Sequence, residues 1–204
     1  MAMQPGSLHT IGDAASHYTH IRILMGMIVG LGLTHLLRQV ARLIEHPGQR
    51  GIYWVHGVWA VFTFVYLLHF WWWQYHLSAG VAWTFNLYLF VTLYALLLYL
   101  LCALALPENM QGYHDYREYF FARRGWFFGL LALVFAVDLA DTALKGHDYL
   151  QRLGPEYYWR NGVFIVACLA AARLRSARVH GAFAVLALAY EISWIARHYE
   201  LMGS

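Results

Sequence analysis

Long apolar stretches alternate with short polar segments along this chain. The first three stretches lie at about residues 21–44, 52–75 and 81–106, and the second three at about 125–145, 157–174 and 180–199. A helix needs about 20 mainly apolar residues to cross the hydrocarbon core of a bilayer. The pattern therefore predicts an all-α polytopic membrane protein with six transmembrane helices, in a single transmembrane domain over residues 1–204.

The composition supports a bilayer as the main solvent of this chain. Hydrophobic residues make up 61% and charged residues only 12%, whereas soluble domains are about one-quarter charged. The net charge is +3, and the basic residues are scattered instead of forming the stripe that binds nucleic acid. We therefore expect lipid, and no nucleic acid, as a partner. Residues 1–19 form a polar N-terminal segment, and the aromatic, mixed-charge linker 108–124 is expected to lie at the membrane interface.

Ionisable residues interrupt two of the apolar stretches at the same spacing. They are His35, Arg38 and Arg42 in the first stretch, and Asp138, Asp141 and Lys145 in the fourth. A spacing of three and then four residues places each set on one helical face. Charges inside a membrane helix are costly unless that face meets protein or water. Each set is therefore predicted to face the interior of a helix bundle.

The two halves of the chain show signs of an internal repeat. The pattern Tyr-Trp-x-x-Gly-Val occurs at residues 53–58 and again at 158–163. The same offset places Asn86 opposite Glu191. A repeat with an odd number of spans enters the membrane in opposite orientations, as in many secondary transporters. We therefore predict two inverted three-helix repeats, covering residues 21–106 and 125–202.

A polar seam near the bilayer midplane is the candidate functional site. Its predicted members are His35, Asp138, Asp141, Glu191 and Asn86, and its predicted mouths are Arg38, Arg42 and Lys145. Burial and neighbouring charges shift the proton affinities of histidine and carboxyl groups toward physiological pH. This favours an ion channel or a proton-linked transporter that carries protons or small ions. The alternative is that the same groups pair only to hold the helices together.

Other function classes have weaker support in the sequence. His56 and His69 suggest a haem-binding membrane oxidoreductase with haem b, but no facing stretch offers histidines at the same thirteen-residue spacing. No histidine and cysteine pattern predicts a metal site. The familiar hydrolase and phosphate-loop motifs are absent from the sequence, so we expect no enzyme of those classes. A scaffold or sensor subunit that uses linker 108–124 as its partner surface is the third possibility.

Positive charges predict the orientation of the chain. Nine Lys or Arg residues lie near the connections after stretches one, three and five, against five on the other face. Basic residues concentrate on the cytoplasmic side, so both termini are expected outside a bacterial inner (plasma) membrane. The small-residue pattern at Gly26 and Gly30 and the aromatic faces favour assembly as a small homo-oligomer.

Overall fold

The computed structural model describes residues 5–46, 51–74, 84–145 and 147–199, and it describes side chains from residue 19 onward except at 147–150, 152 and 199. This part of the chain contains helices and no strand. The helices are α1 (Pro5–Glu45), α2 (Trp54–Trp73), α3 (Phe85–Ala105), α4 (Tyr116–Leu144), α5 (His147–Arg173) and α6 (Ala177–Tyr199). The predicted all-α fold is therefore confirmed.

Five of these helices are long and apolar enough to cross a membrane. They are the Thr19–Glu45 part of α1, α2, α3, α4 and the Ala177–His198 part of α6. The fifth helix in the chain does not meet the same criterion within the described residues. Its sequence has several charged residues and only a short uninterrupted apolar run. The chain thus has the architecture of a helical membrane protein, with α5 as its least apolar helix.

The start of α4 differs from the expectation of an interfacial helix at 108–124. Asp115 is the N-cap residue of α4 and has an extended backbone. Its side chain accepts a hydrogen bond of 2.7 Å from the backbone N–H of Glu118. Glu118 in turn accepts a hydrogen bond from the backbone N–H of His114. These two bonds satisfy N–H groups that a helix start leaves unpaired. Residues 116–124 therefore form the first turns of α4 itself.

A break near its start divides α5. Gly154 has φ +69° and ψ −179°, a backbone conformation that residues with a Cβ rarely adopt. Pro155 follows directly, and proline begins a helix readily because the first turn needs no N–H from it. The part of α5 beyond this break runs to Arg173 and packs along α4. The break therefore sets where the functional side chains of α5 begin.

The second helix is the centre of the bundle. It packs against α1, α3, α4 and α6. Trp59, Phe62 and Tyr66 form its buried face, and the rings of Phe128 and Phe135 on α4 lie 5.1 Å from Trp59 and 5.5 Å from Tyr66.

A glycine allows α6 to approach α2 closely. A Cβ added at Gly181 would lie 2.8 Å from the ring of Trp54. Such a distance is shorter than van der Waals contact, so a larger residue at this position would require the Trp54 ring to move.

The packing leaves the inverted repeat unconfirmed. Under the repeat, α2 corresponds to α5 and α6 corresponds to α3. Contact between α2 and α6 is extensive, but among the described residues no comparable contact joins α5 to α3. Likewise, α1 packs on α3 without a comparable α4 contact with α6 in that part of the chain. The repeat stays a prediction.

Candidate functional site: a buried polar cluster

A set of polar side chains lies inside the half of the bundle where α2, α4 and α6 end. We call this set the polar cluster. Its members are Tyr66, His69, Gln74, Tyr94, Asp138, Asp141, Thr142, Lys145, Tyr157, Arg160, Asn161 and Glu191. Five helices contribute to it, so it forms only when the tertiary structure does.

Arg160 joins three helices at the middle of the polar cluster. Its Nη2 donates a hydrogen bond of 2.6 Å to Glu191 Oε2 on α6. Its Nη1 lies 4.0 Å from Asp138 Oδ2 on α4. The guanidinium also lies over the ring of Trp194, 4.9 Å from its centroid, where the negative face of the ring attracts the cation. One buried guanidinium thus faces two carboxyl groups.

The carboxyl group of Asp138 accepts hydrogen bonds from two neighbouring helices. Tyr157 OH donates to Asp138 Oδ2 at 2.8 Å, and Asn161 Nδ2 donates to the same oxygen at 3.3 Å. Tyr94 OH on α3 donates to Asp138 Oδ1 at 3.2 Å. Three side-chain donors thus hold the carboxyl group of Asp138 inside an apolar bundle.

Asp141 and Lys145 form a buried ion pair one turn farther along. Lys145 Nζ lies 2.7 Å from Asp141 Oδ2, and the two side chains are 1% and 0% exposed. Gln74, at the end of α2, donates to the same oxygen at 3.3 Å. Each of the two charges thus has its opposite partner within the bundle. The other oxygen of Asp141 has no hydrogen-bond partner in the described part of the chain.

Glu191 connects α6 to α2 through a histidine. A hydrogen bond of 2.5 Å joins His69 Nδ1 to Glu191 Oε1. Glu191 is fully buried, and its second oxygen is the one that Arg160 contacts. Because a histidine changes charge near neutral pH, this contact places a group that binds and releases protons directly beside a buried carboxylate.

A small cavity lies within the polar cluster. Tyr66, His69, Tyr94, Asp138 and Arg160 contribute to its walls, and its volume is about 10 Å³. That volume suits one water molecule, which needs polar partners of this kind. A water molecule there would lie beside both the histidine and one of the carboxyl groups.

The structure brings together only part of the predicted seam. Asp138, Asp141, Glu191 and Lys145 all belong to the polar cluster. His35 is also buried, but its Nε2 donates a hydrogen bond of 2.7 Å to the backbone carbonyl of Leu106. That contact lies near the end of α3, which is the opposite end of the bundle from the polar cluster. His35 therefore joins a different polar environment.

The remaining predicted members lie at the surface. Arg38 forms an ion pair with the exposed Glu108, and Arg42 donates hydrogen bonds to Gln39 and to the backbone carbonyl of Glu108. Asn86 is exposed on the first turn of α3. The predicted mouth formed by the two arginines is thus at the end of the bundle that contains His35.

The two histidines proposed for haem lie in different settings. His56 is buried against the rings of Tyr116, Tyr119 and Phe120, beside a cavity of about 10 Å³. His69 is held by Glu191. Haem binding at these two histidines stays a prediction. Within the described residues, no group of three or more His, Cys, Asp or Glu side chains is placed to hold a metal ion.

Sequence reasoning missed the most connected member of the polar cluster. In the count of basic residues that predicts the orientation, Arg160 is one of the five on the other face, and the sequence analysis gives it no further role. The signal was present, because Tyr157, Arg160, Asn161 and Phe164 follow the three- and four-residue spacing of a helical face. All four are buried. An arginine on such a face of a membrane helix predicts a carboxylate partner.

Comparisons with protein-family models, with curated proteins and with solved structures give no match for this chain. The conclusions about function therefore depend on the fold and on the polar cluster. The fold supports an integral membrane protein.

Proposed function

We propose that this protein moves protons across a membrane, either as a proton channel or as a proton-linked transporter, and that the polar cluster is its proton-binding site. The observation that carries the proposal is the hydrogen-bonded pair of His69 and Glu191, buried in an apolar bundle beside a cavity of water size. Histidine and carboxyl groups exchange protons through one water at such distances.

The charges of the polar cluster support the same proposal. Among the side chains that the structure describes there, three carboxyl groups face two basic groups, Arg160 and Lys145. One proton, on His69 or on a carboxyl group, therefore balances the buried charge. A low-dielectric interior penalises an unbalanced charge strongly. Uptake and release of that proton is expected to alter the hydrogen bonds that join the helices.

The same proposal includes an orientation. With both termini outside an inner membrane, the polar cluster lies toward the outer face, and His35 and Arg38 lie toward the cytoplasm. Protons would then enter the polar cluster from outside. The inverted repeat and the homo-oligomer belong to the proposal as predictions, and neither is needed for the test below.

Proton flux into liposomes tests the proposal. Purified protein is reconstituted with a pH-sensitive dye inside, and a potassium gradient with valinomycin imposes the driving potential. We expect acidification well above that of empty liposomes. Asp138→Asn and Glu191→Gln should each reduce the rate at least ~10-fold, because each removes a group that binds the proton.

A carboxylate outside the polar cluster provides the matched control. Glu45→Gln changes an exposed residue at the end of α1 and should keep the wild-type rate. Gel filtration and circular dichroism of every variant separate loss of flux from loss of fold. The proposal is wrong if folded wild-type protein carries no flux above empty liposomes, or if both cluster variants keep the full rate.

Two alternative functions keep their own tests. A haem-binding oxidoreductase that uses His56 and His69 is tested by an absorption spectrum of the purified protein, with and without added haem. A scaffold or sensor subunit is favoured if the folded protein carries no flux and copurifies with a partner. In that case the polar cluster would serve only to hold the helices together.

A further inference from the structure

A groove with a volume of about 690 Å³ runs between α5 and α6. Its walls are mainly apolar and include Trp159, Val163, Ala167, Phe183, Leu186 and Tyr190. Val163 and Leu186 are 60% and 68% exposed, so the groove opens to the outside of the bundle. In a helical membrane protein that surface faces acyl chains, and an apolar groove there is filled by lipid.

The groove ends in polar groups at the N-terminal part of α5. Glu156 accepts hydrogen bonds of 2.9 Å and 2.7 Å from the two terminal nitrogens of Arg197, and one of 2.9 Å from Tyr190 OH. Arg160 also lines the groove, one helical turn deeper along α5. Arg160 is only 4% exposed, and its charge is neutralised by Glu191 within the bundle. The exposed charged groups at this end are therefore Glu156 and Arg197.

The charges at this end favour one kind of headgroup. The side chains of Glu156 and Arg197 are 44% and 47% exposed and carry opposite charges. A zwitterionic headgroup matches both, with its ammonium toward the carboxylate and its phosphate toward the guanidinium. An anionic headgroup without an ammonium would face the repulsion of Glu156. The exposed pair of Glu156 and Arg197 thus favours a zwitterionic headgroup over an anionic one.

We propose that the groove between α5 and α6 is a specific binding site for one zwitterionic glycerophospholipid. Its headgroup contacts Glu156 and Arg197, and an acyl chain lies along the apolar walls. Arg160 borders both the groove and the polar cluster, but lipid binding is measured without proton flux, so either proposal can fail without the other.

Native mass spectrometry of the purified protein tests the site. The protein is stripped of lipid in detergent and then titrated with phosphatidylethanolamine or with phosphatidylglycerol. We expect one phosphatidylethanolamine to bind at least ~10-fold more tightly than phosphatidylglycerol, a difference that corresponds to ~1.4 kcal/mol. Thermal unfolding of the same samples should show stabilisation by the zwitterionic lipid.

Substitutions separate this site from general lipid contact. Ala167→Trp fills the groove and should abolish the tight binding, whereas Ala136→Trp adds the same ring at an exposed position on α4 and should not. Ala189→Trp, from the α6 wall, serves if the first variant does not fold. Glu156→Gln should remove the preference between the two lipids, because it removes the carboxylate that attracts the ammonium and repels an anionic headgroup.

Three results would overturn the proposal. Equal binding of both lipids by the wild type would show contact without recognition. Equal binding by the groove-filled and control variants would place the lipid elsewhere. A dimer that excludes lipid in the wild type and becomes a monomer in Ala167→Trp would show that a second copy of the chain occupies the groove.

Discussion

The second and third residues of the two equally spaced ionisable sets have opposite environments in the fold, whereas the first residues, His35 and Asp138, are both buried. Arg38 and Arg42 are exposed and pair with surface groups near Glu108. Asp141 and Lys145 occupy the equivalent positions on α4, and their side chains are almost completely buried. The first set lies at the end of the bundle, where its charges reach water, and the second is covered by α2 and α5.

This difference shows that spacing alone does not determine whether a charge is functional. An exposed ion pair contributes little to the stability of the protein, because water and salt screen the attraction. A buried pair keeps a strong interaction, but each partner becomes indispensable since the other would remain as an unpaired charge. Protonation or deprotonation of the buried residues Asp141 and Lys145 is therefore expected to affect the structure more than a change of charge at Arg38 or Arg42.

Removal of the central arginine should have the largest effect. Arg160→Met leaves Glu191 and Asp138 without their shared cation and should destabilise the protein by about 3–5 kcal/mol. The matched exposed change, Arg38→Met, should cost less than ~1 kcal/mol. Unfolding in detergent, followed by circular dichroism, measures both. Similar losses in the two variants would remove the distinction between the two ends of the bundle.

The equivalent third positions of the two sets give a sharper test. Lys145→Met strands the buried Asp141 and should cost about 1–3 kcal/mol, because one polar partner of a buried group is lost. Arg42→Met should stay within ~0.5 kcal/mol of the wild type, as surface changes do. The double variant Lys145→Met with Asp141→Leu should recover part of the loss. If it does not, the pair has a role beyond charge balance.

The exposed pair near α5 should show the smallest effect, and only its pH dependence is diagnostic. Hydrogen bonds from Arg197 and Tyr190 lower the pKa of Glu156 from 4.5 to about 2. A lowered pKa means that the contribution to stability is full above the ordinary value and is lost as the pH falls toward 2. Glu156→Gln should therefore differ from the wild type at pH 7 and converge with it near pH 2. A constant difference over that range would contradict the assignment.

Much of the fold follows directly from the sequence, because each helix depends on local features. The apolar stretches predict where the six helices end to within two residues, but α1, α4 and α5 begin 16, 9 and 10 residues before their stretches. The start of α4 at Asp115 and the break at Gly154 come from a capping side chain and a left-handed backbone position. The candidate site was predicted in part. Asp138, Asp141, Glu191 and His35 stand out because ionisable groups are rare in such stretches. Only the three carboxyl groups belong to the polar cluster, since His35 lies against Leu106 at the other end of the bundle.

The sequence by itself determined that this chain forms apolar helices and that a few of them contain charges, since burial of apolar surface and hydrogen bonding within a helix are properties of each segment. Only the tertiary structure decided which charges meet. Arg160 reaches Glu191 across 31 positions of sequence, and His69 reaches it across 122. No local pattern encodes such contacts, because they depend on how helices far apart in sequence pack against one another.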